Sequence, residues 1–215
     1  MIKAIYRMLF LLFVIAGGLR SSAQTVLPSQ SGARSEVALW SVGTFIADTT
    51  LTDTEGDSLD ILFEEKPGFG VSFNHYWTDQ FSTEVSLMAF SADMNVSSPF
   101  APEFKLGTLN AHTETAMAQW HFRPGARVMP YLSGGIAHIG GTFDPNDPED
   151  PAEIDLESNV TWTAAVGLDI RLTDRWALAF EAKRVPWNAV EEGGSADEAI
   201  DIDPMLYGSG VRFRF

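Results

Sequence analysis

The sequence predicts an all-β fold, an eight-stranded antiparallel up-and-down transmembrane β-barrel. Three observations carry this prediction. Eight segments alternate apolar and polar residues with a period of two. The connections between them are short and long in turn. Past residue 23 no apolar run is long enough for a helix to cross a bilayer, so a membrane-spanning form must be a closed barrel.

The chain starts with an address. Lys3 and Arg7 form a positive region, Met8–Leu19 an apolar run, and Ser21-Ser22-Ala23 a small-residue cleavage site. Residues 1–23 read as a cleaved secretory signal rather than an uncleaved membrane anchor, because twelve apolar residues are too few to span a bilayer. The barrel domain is then 24–215. Loss of Lys3, Arg7 and Arg20 takes the net charge from −15 to −18, with 11 basic groups against 29 acidic ones. That acidity argues against nucleic-acid binding. With no Cys there is no disulfide framework, thiolate metal site, Cys nucleophile or lipidated cysteine anchor.

The eight segments are 35–47, 66–77, 81–92, 108–122, 128–140, 158–172, 176–187 and 204–215. Each meets or slightly exceeds the roughly 9–11 residues of a tilted transmembrane strand. Short turns lie at 78–80, 123–127 and 173–175. Long connections lie at 48–65, 93–107, 141–157 and 188–203. Outer-membrane barrels keep short turns on the periplasmic side and long loops outside, so this pattern places the chain in a bacterial outer membrane.

Alternation alone does not say which face meets lipid, and a soluble lipocalin-like barrel would reverse it. The charges decide. Glu84, Asp169, Arg171, Glu181, Lys183, Arg212 and Arg214 all share faces with small or polar residues. Inside a closed barrel they form a lumen charge network. Facing lipid, each basic group would cost about 2–4 kcal/mol at the bilayer midplane. Alternation leaves open the facing of Trp40 in the first segment and Tyr131 in the fifth. Tyr76, Trp77, Phe81, Trp120, Phe122, Trp176, Phe213 and Phe215 cluster near the short turns, as an interfacial girdle would. Phe213 and Phe215 close the chain in the manner of bacterial outer-membrane barrels, an ending read as a signal by the barrel-assembly machinery.

The long connections hold 22 of the 29 acids, with Lys105 their sole base. The reading favoured is a solvated acidic crown. The alternative is divalent-cation binding by clustered carboxylates, including bridging to lipopolysaccharide. No catalytic residue is assigned: there is no G-x-S-x-G elbow and no H-E-x-x-H motif. His112-Thr113-Glu114 places two titratable groups on one strand face. It is read as an exposed polar strand end rather than an acid/base or metal pair, so no cofactor or metal is expected.

Four stretches carry a family resemblance: FGVSFNHYWTDQF at 69–81, RVMPYLSGGIAHIG at 127–140, TDRWALAFEAKRVP at 173–186 and IDPMLYGSGVRFRF at 202–215. Together they resemble the OmpW family of small outer-membrane proteins over essentially the whole mature chain. The most specific is the last, with its Asp-Pro pair, Gly-x-Gly and aromatic end; Met205 stands where the family often has Trp. The resemblance implies a narrow apolar lumen that passes or binds small hydrophobic molecules, with sideways exit into the membrane. Met88, Phe90, Met117 and Leu206 would line it. The long acidic connections depart from that family's pattern. The alternative is a structural or adhesive surface barrel with a plugged lumen, and an enzyme is the third class. Implied partners are outer-membrane lipid, lipopolysaccharide, the assembly machinery and small hydrophobic ligands.

Overall fold

The computed structural model describes residues 35–47, 49–52, 58–98, 101–146, 153–189 and 200–215. The signal expected at 1–23 lies outside the described residues, as do Asp48, Asp53, Glu55, Asp57, Asp147, Glu149, Asp150, Glu191, Glu192, Asp197 and Glu198 of the acidic connections. Eight strands form the barrel: β1 (Ser35–Phe45), β2 (Ser58–Tyr76), β3 (Phe81–Ser98), β4 (Ala101–His121), β5 (Val128–Pro145), β6 (Ile154–Arg171), β7 (Trp176–Arg184) and β8 (Met205–Arg214). Each pairs antiparallel with its chain neighbours, and β1 closes the ring against β8, from Glu36↔Arg214 to Phe45↔Met205. Thr49–Thr52 adds to the start of β2, and Asn188–Ala189 pairs with Ile200–Asp201.

On the side of the long connections the strands run further than the sequence suggests. β2 begins at Ser58 rather than near residue 66. The connections expected at 93–107 and 141–157 are largely strand: β3 and β4 pair through Asp93↔Thr108 and beyond, and β5 and β6 through Thr142↔Asp155. The reason is continued burial. Ile61, Met94, Val96 and Leu109 keep the inward face apolar past the membrane-spanning part, so the ladder keeps its reward after the outward residues turn acidic.

The short turns are fixed by local chemistry. Thr78 Oγ1 accepts from the backbone N–H groups of Gln80 (3.3 Å) and Phe81 (3.0 Å). Thr173 Oγ1 does the same for Arg175 (3.2 Å) and Trp176 (3.1 Å). The Thr-Asp-x-aromatic pattern is therefore a turn code, with the hydroxyl standing in for a backbone acceptor. In the third turn Pro124 sets one φ and Gly125 takes φ 79°. The Ala126 N–H donates to Arg123 O at 3.2 Å, as a type II turn requires.

The facing of every strand is settled. Leu39, Phe69, Val85, Leu87, Leu132, Ile136, Val160 and Trp162 are exposed on the outer wall, while Glu84, Asp169, Lys183 and Arg212 are buried inside. Trp40 and Tyr131 both point inward. The girdle holds for Trp77, Trp120, Phe122, Trp176 and Phe215, all exposed, and Trp176, Phe213 and Phe215 form a run of ring contacts. Tyr76 is the exception. It shares the face of Ser72 and Asn74, and its hydroxyl donates inward to Glu36 at 3.4 Å, so it belongs to the lumen and not to the girdle.

Candidate functional site: the barrel lumen

The lumen has two storeys. The lower one, near the short turns, is polar. Inward positions of all eight strands meet there because pleat alternation sends every second residue to the axis. Arg212 on β8 is the hub. Its guanidinium reaches Glu84 on β3 at 3.0 Å, Asp169 on β6 at 3.1 Å and Glu36 on β1 at 3.7 Å. It also lies over the rings of Trp40 (5.3 Å) and Tyr131 (5.5 Å). The Tyr131 hydroxyl accepts from Arg212 at 3.2 Å and donates to Glu181 at 3.0 Å. Lys183 pairs with Glu181 at 3.1 Å and donates to Ser86 Oγ at 3.3 Å. Arg214 is ion-paired to Glu36.

Neutral groups knit this cluster to the wall. Trp40 Nε1 donates to Ser72 Oγ at 3.0 Å, and Ser72 donates to Glu84 at 3.2 Å. Ser86 and Thr115 bond at 2.7 Å, and Ser82 bonds His121 at 2.9 Å. Four carboxylates thus face Lys183, Arg212 and Arg214 inside a closed floor. Buried charge is tolerated here because each ion lies within 4 Å of an opposite charge.

The upper storey is apolar. Val42, Ile46, Phe90, Leu109, Ile139 and Leu206 pack with Met88, with Phe63 and Leu156 at the rim. Val185, Trp187, Ala189 and Ile202, from the described residues between β7 and β8, pack against them. Val185 and Trp187 are fully buried, and Trp187 Nε1 donates to Glu157 O at 3.3 Å. Asp203 holds this cap. It adopts φ 39°, accepts from the Trp187 N–H at 3.3 Å and pairs with Arg184 at 2.6 Å. A left-handed non-glycine residue is uncommon, and Asp is among the few types that tolerate it.

Of the residues singled out from sequence, Glu84, Asp169, Glu181, Lys183, Arg212 and Arg214 come together in the floor. Arg171 faces the same way, and its guanidinium contacts Met129 Sδ at 3.8 Å. Met88, Phe90 and Leu206 lie in the apolar storey. Met117 is buried lower, opposite Glu84 in the β3–β4 register. Phe213 and Phe215 lie on the outer wall, and the Phe215 N–H donates to Ser35 O at 3.0 Å, next to the closing seam. His112 and Glu114 are exposed outside the lumen. Sequence reasoning missed Glu36, Tyr76 and Tyr131. The signal for Glu36 was present, since it alternates with Trp40 and the rule that charges face inward assigns both.

Among the described acids of the crown, several are tied to strands. Asp93 pairs with Lys66 (2.6 Å) and Lys105 (2.8 Å) and accepts from Thr108 (2.8 Å). Partial burial works against its charge, but hydrogen bonds from Lys105, Lys66 and Thr108 win and hold the carboxyl at about 2. Asp144 accepts from Asn110 at 2.8 Å, and Glu65 accepts from the Tyr207 hydroxyl.

Residues 11–215 match the family model described as "Outer membrane protein beta-barrel domain". The chain belongs to that family. A curated relative, the uncharacterized outer-membrane protein y4mB of Sinorhizobium fredii, is 23% identical over 201 residues, covering 88% of this chain and 86% of its own. OprG of Pseudomonas aeruginosa superposes with a TM-score of 0.65 at 17% identity, covering 85% of this chain and 96% of OprG. AlkL, solved in lipid bilayers, superposes with a TM-score of 0.60 at 14% identity, covering 91% and 96%. These likenesses show the fold of a small outer-membrane barrel, and with the family match they place the protein in the outer membrane.

Proposed function

We propose that this barrel binds small hydrophobic molecules in its upper lumen, as a conduit open on the loop side and closed on the periplasmic side. The single observation that supports this reading is the division of the lumen. An apolar storey around Met88, Phe90 and Leu206 stands on an ion-paired floor centred on Arg212. Apolar compounds gain by entering the first and gain nothing by crossing the second, where charges would lose their partners. The function is non-enzymatic. The conduit reading rests on release back to the loop side or sideways into lipid.

A second reading, a structural barrel with a plugged lumen, draws on the complete burial of Ile139, Val185 and Trp187. One measurement separates the two. The protein is folded in lipid vesicles and titrated with an environment-sensitive apolar dye. Saturable binding weakened by Met88→Gln is the expected result. No binding above that of empty vesicles, with the barrel intact, overturns the conduit and leaves the plugged barrel.

A further inference from the structure

The outer faces of β4 and β5 carry a group that the lumen chemistry does not use. His112 and Glu114 are two residues apart on β4, so both project outward. Glu114 is the register partner of His138 on β5, and Glu114 Oε2 lies 2.6 Å from His138 Nδ1. The register partner of His112 is Gly140. A Cβ built on Gly140 would meet Ser158 Cβ at 3.1 Å and His112 Cε1 at 3.6 Å, so the imidazole lies close against the glycine backbone. Its ring centroid is 6.4 Å from that of His138. One donor atom from each of His112, Glu114 and His138 lies within 4.8 Å of the others.

The surroundings sharpen the question. Across the sheet the row runs Leu87, Glu114, His138, Val160, and Leu87 and Val160 are exposed apolar residues of the outer wall. Glu114 and His138 also line a depression of about 590 Å³ with Leu87, Ile136 and Val160. The His138–Glu114 contact accounts for two of the three groups. It does not account for a second imidazole turned toward the same point.

We propose that His112, Glu114 and His138 form a three-ligand site for a divalent transition-metal ion of the zinc class. Two imidazole nitrogens and one carboxylate oxygen suit Zn²⁺, Ni²⁺ or Cu²⁺, whereas Ca²⁺ and Mg²⁺ want oxygen donors throughout. Tetrahedral bonds of about 2.0–2.1 Å put donors roughly 3.4 Å apart. The donor atoms all lie within 4.8 Å of one another, so at most about 1.4 Å has to close to reach that spacing. Side-chain rotation supplies this, because His112 and Glu114 are exposed and His112 faces a glycine. His112 and Glu114 are exposed on the outward side of the group, which leaves room there for a fourth ligand. A bound ion would clasp two neighbouring strands and neutralise the carboxylate among apolar neighbours.

The test is direct. The full chain, folded in vesicles, is titrated with Zn²⁺ and, for its visible spectrum, with Co²⁺. One ion per barrel is expected, with tetrahedral cobalt bands and no displacement by excess Ca²⁺. His112→Ala and His138→Ala should each weaken Zn²⁺ binding by at least about tenfold. Both substitutions leave every acid of the loops in place, so diffuse carboxylate binding would survive them. Folding of each variant is checked by the heat-induced shift of the barrel on a denaturing gel. Zn²⁺ affinity unchanged in folded His112→Ala, or displacement of the ion by Ca²⁺, overturns the site.

Discussion

Replacing Arg212 with Met removes a charge from the floor and keeps a long apolar stem. In the parent protein Arg212 is 1% exposed and contacts Glu84, Asp169 and Glu36 at 3.0, 3.1 and 3.7 Å. After the change Glu36 still has Arg214, but Glu84 and Asp169 lose the cation that touches them. Removing one partner of a buried ion pair costs about 3–5 kcal/mol. The cation–π contacts to Trp40 and Tyr131 are lost in the same step and are part of that cost. Lys183 stays within the same cluster and softens the field, so a loss of about 3–4 kcal/mol is expected. The assay is urea unfolding of the vesicle-folded barrel, followed by Trp fluorescence. Arg184→Met is the comparison: its side chain is 50% exposed in its pair with Asp203, so loss of that ion pair should cost at most about 1 kcal/mol. Adding Glu84→Gln and Asp169→Asn to Arg212→Met should restore most of the loss, because the charges that remain, Glu36 with Arg214 and Glu181 with Lys183, all keep a partner. An Arg212→Met midpoint equal to the parent's, or a triple variant weaker than the single one, would refute the argument that the floor is held by charge compensation.

Further outcomes follow from the same structure. Trp187→Ala empties the cap over the apolar storey; a stability loss of about 3–5 kcal/mol and faster dye entry are expected, and unchanged entry would show that Trp187 does not guard the lumen. Asp93→Asn should cost about 1 kcal/mol at pH 7, as expected for partly exposed ion pairs. The Asp93 carboxyl lies below its ordinary value, so its contribution is full above about pH 4 and disappears as pH falls through about 2. The variant should therefore show a shallower acid-unfolding limb between those limits, and an identical limb would count against the Lys66–Asp93–Lys105 cluster. Gly125→Ala forces a Cβ onto φ 79° and should cost about 1 kcal/mol, readable as slower or less complete refolding into vesicles.

The ring of eight strands was legible because period-two alternation and Thr-Asp or Pro-Gly turns are local signals. The lipid-facing side was legible because seven charged residues shared the less apolar faces. Strand length was not. The acids and prolines at 93–107 and 141–157 resemble loop chemistry, yet buried Met94, Val96 and Leu109 extend the ladder through much of that region. Most members of the floor could be named from sequence, but its wiring could not. That Arg212 serves three acids, while Glu36 is shared with Arg214, depends on register between strands as distant as β1, β3 and β6. Tyr76 was misplaced because an aromatic beside a turn satisfies both a girdle and a lumen, and its face alone decides. The pairing of His138 with Glu114 was not legible, because it joins two neighbouring strands.

The distribution of charge among the strands has a consequence for how the ring comes together. Glu36, Glu84 and Asp169 sit on β1, β3 and β6, while the two arginines that contact them arrive on β8. Closing the seam and neutralising the interior are therefore one event. A ring that lacks its final strand carries three carboxylates with no guanidinium to meet them, in the place where solvent is being shut out. The last strand thus acts as a checkpoint, making completeness of the chain a condition for a stable interior.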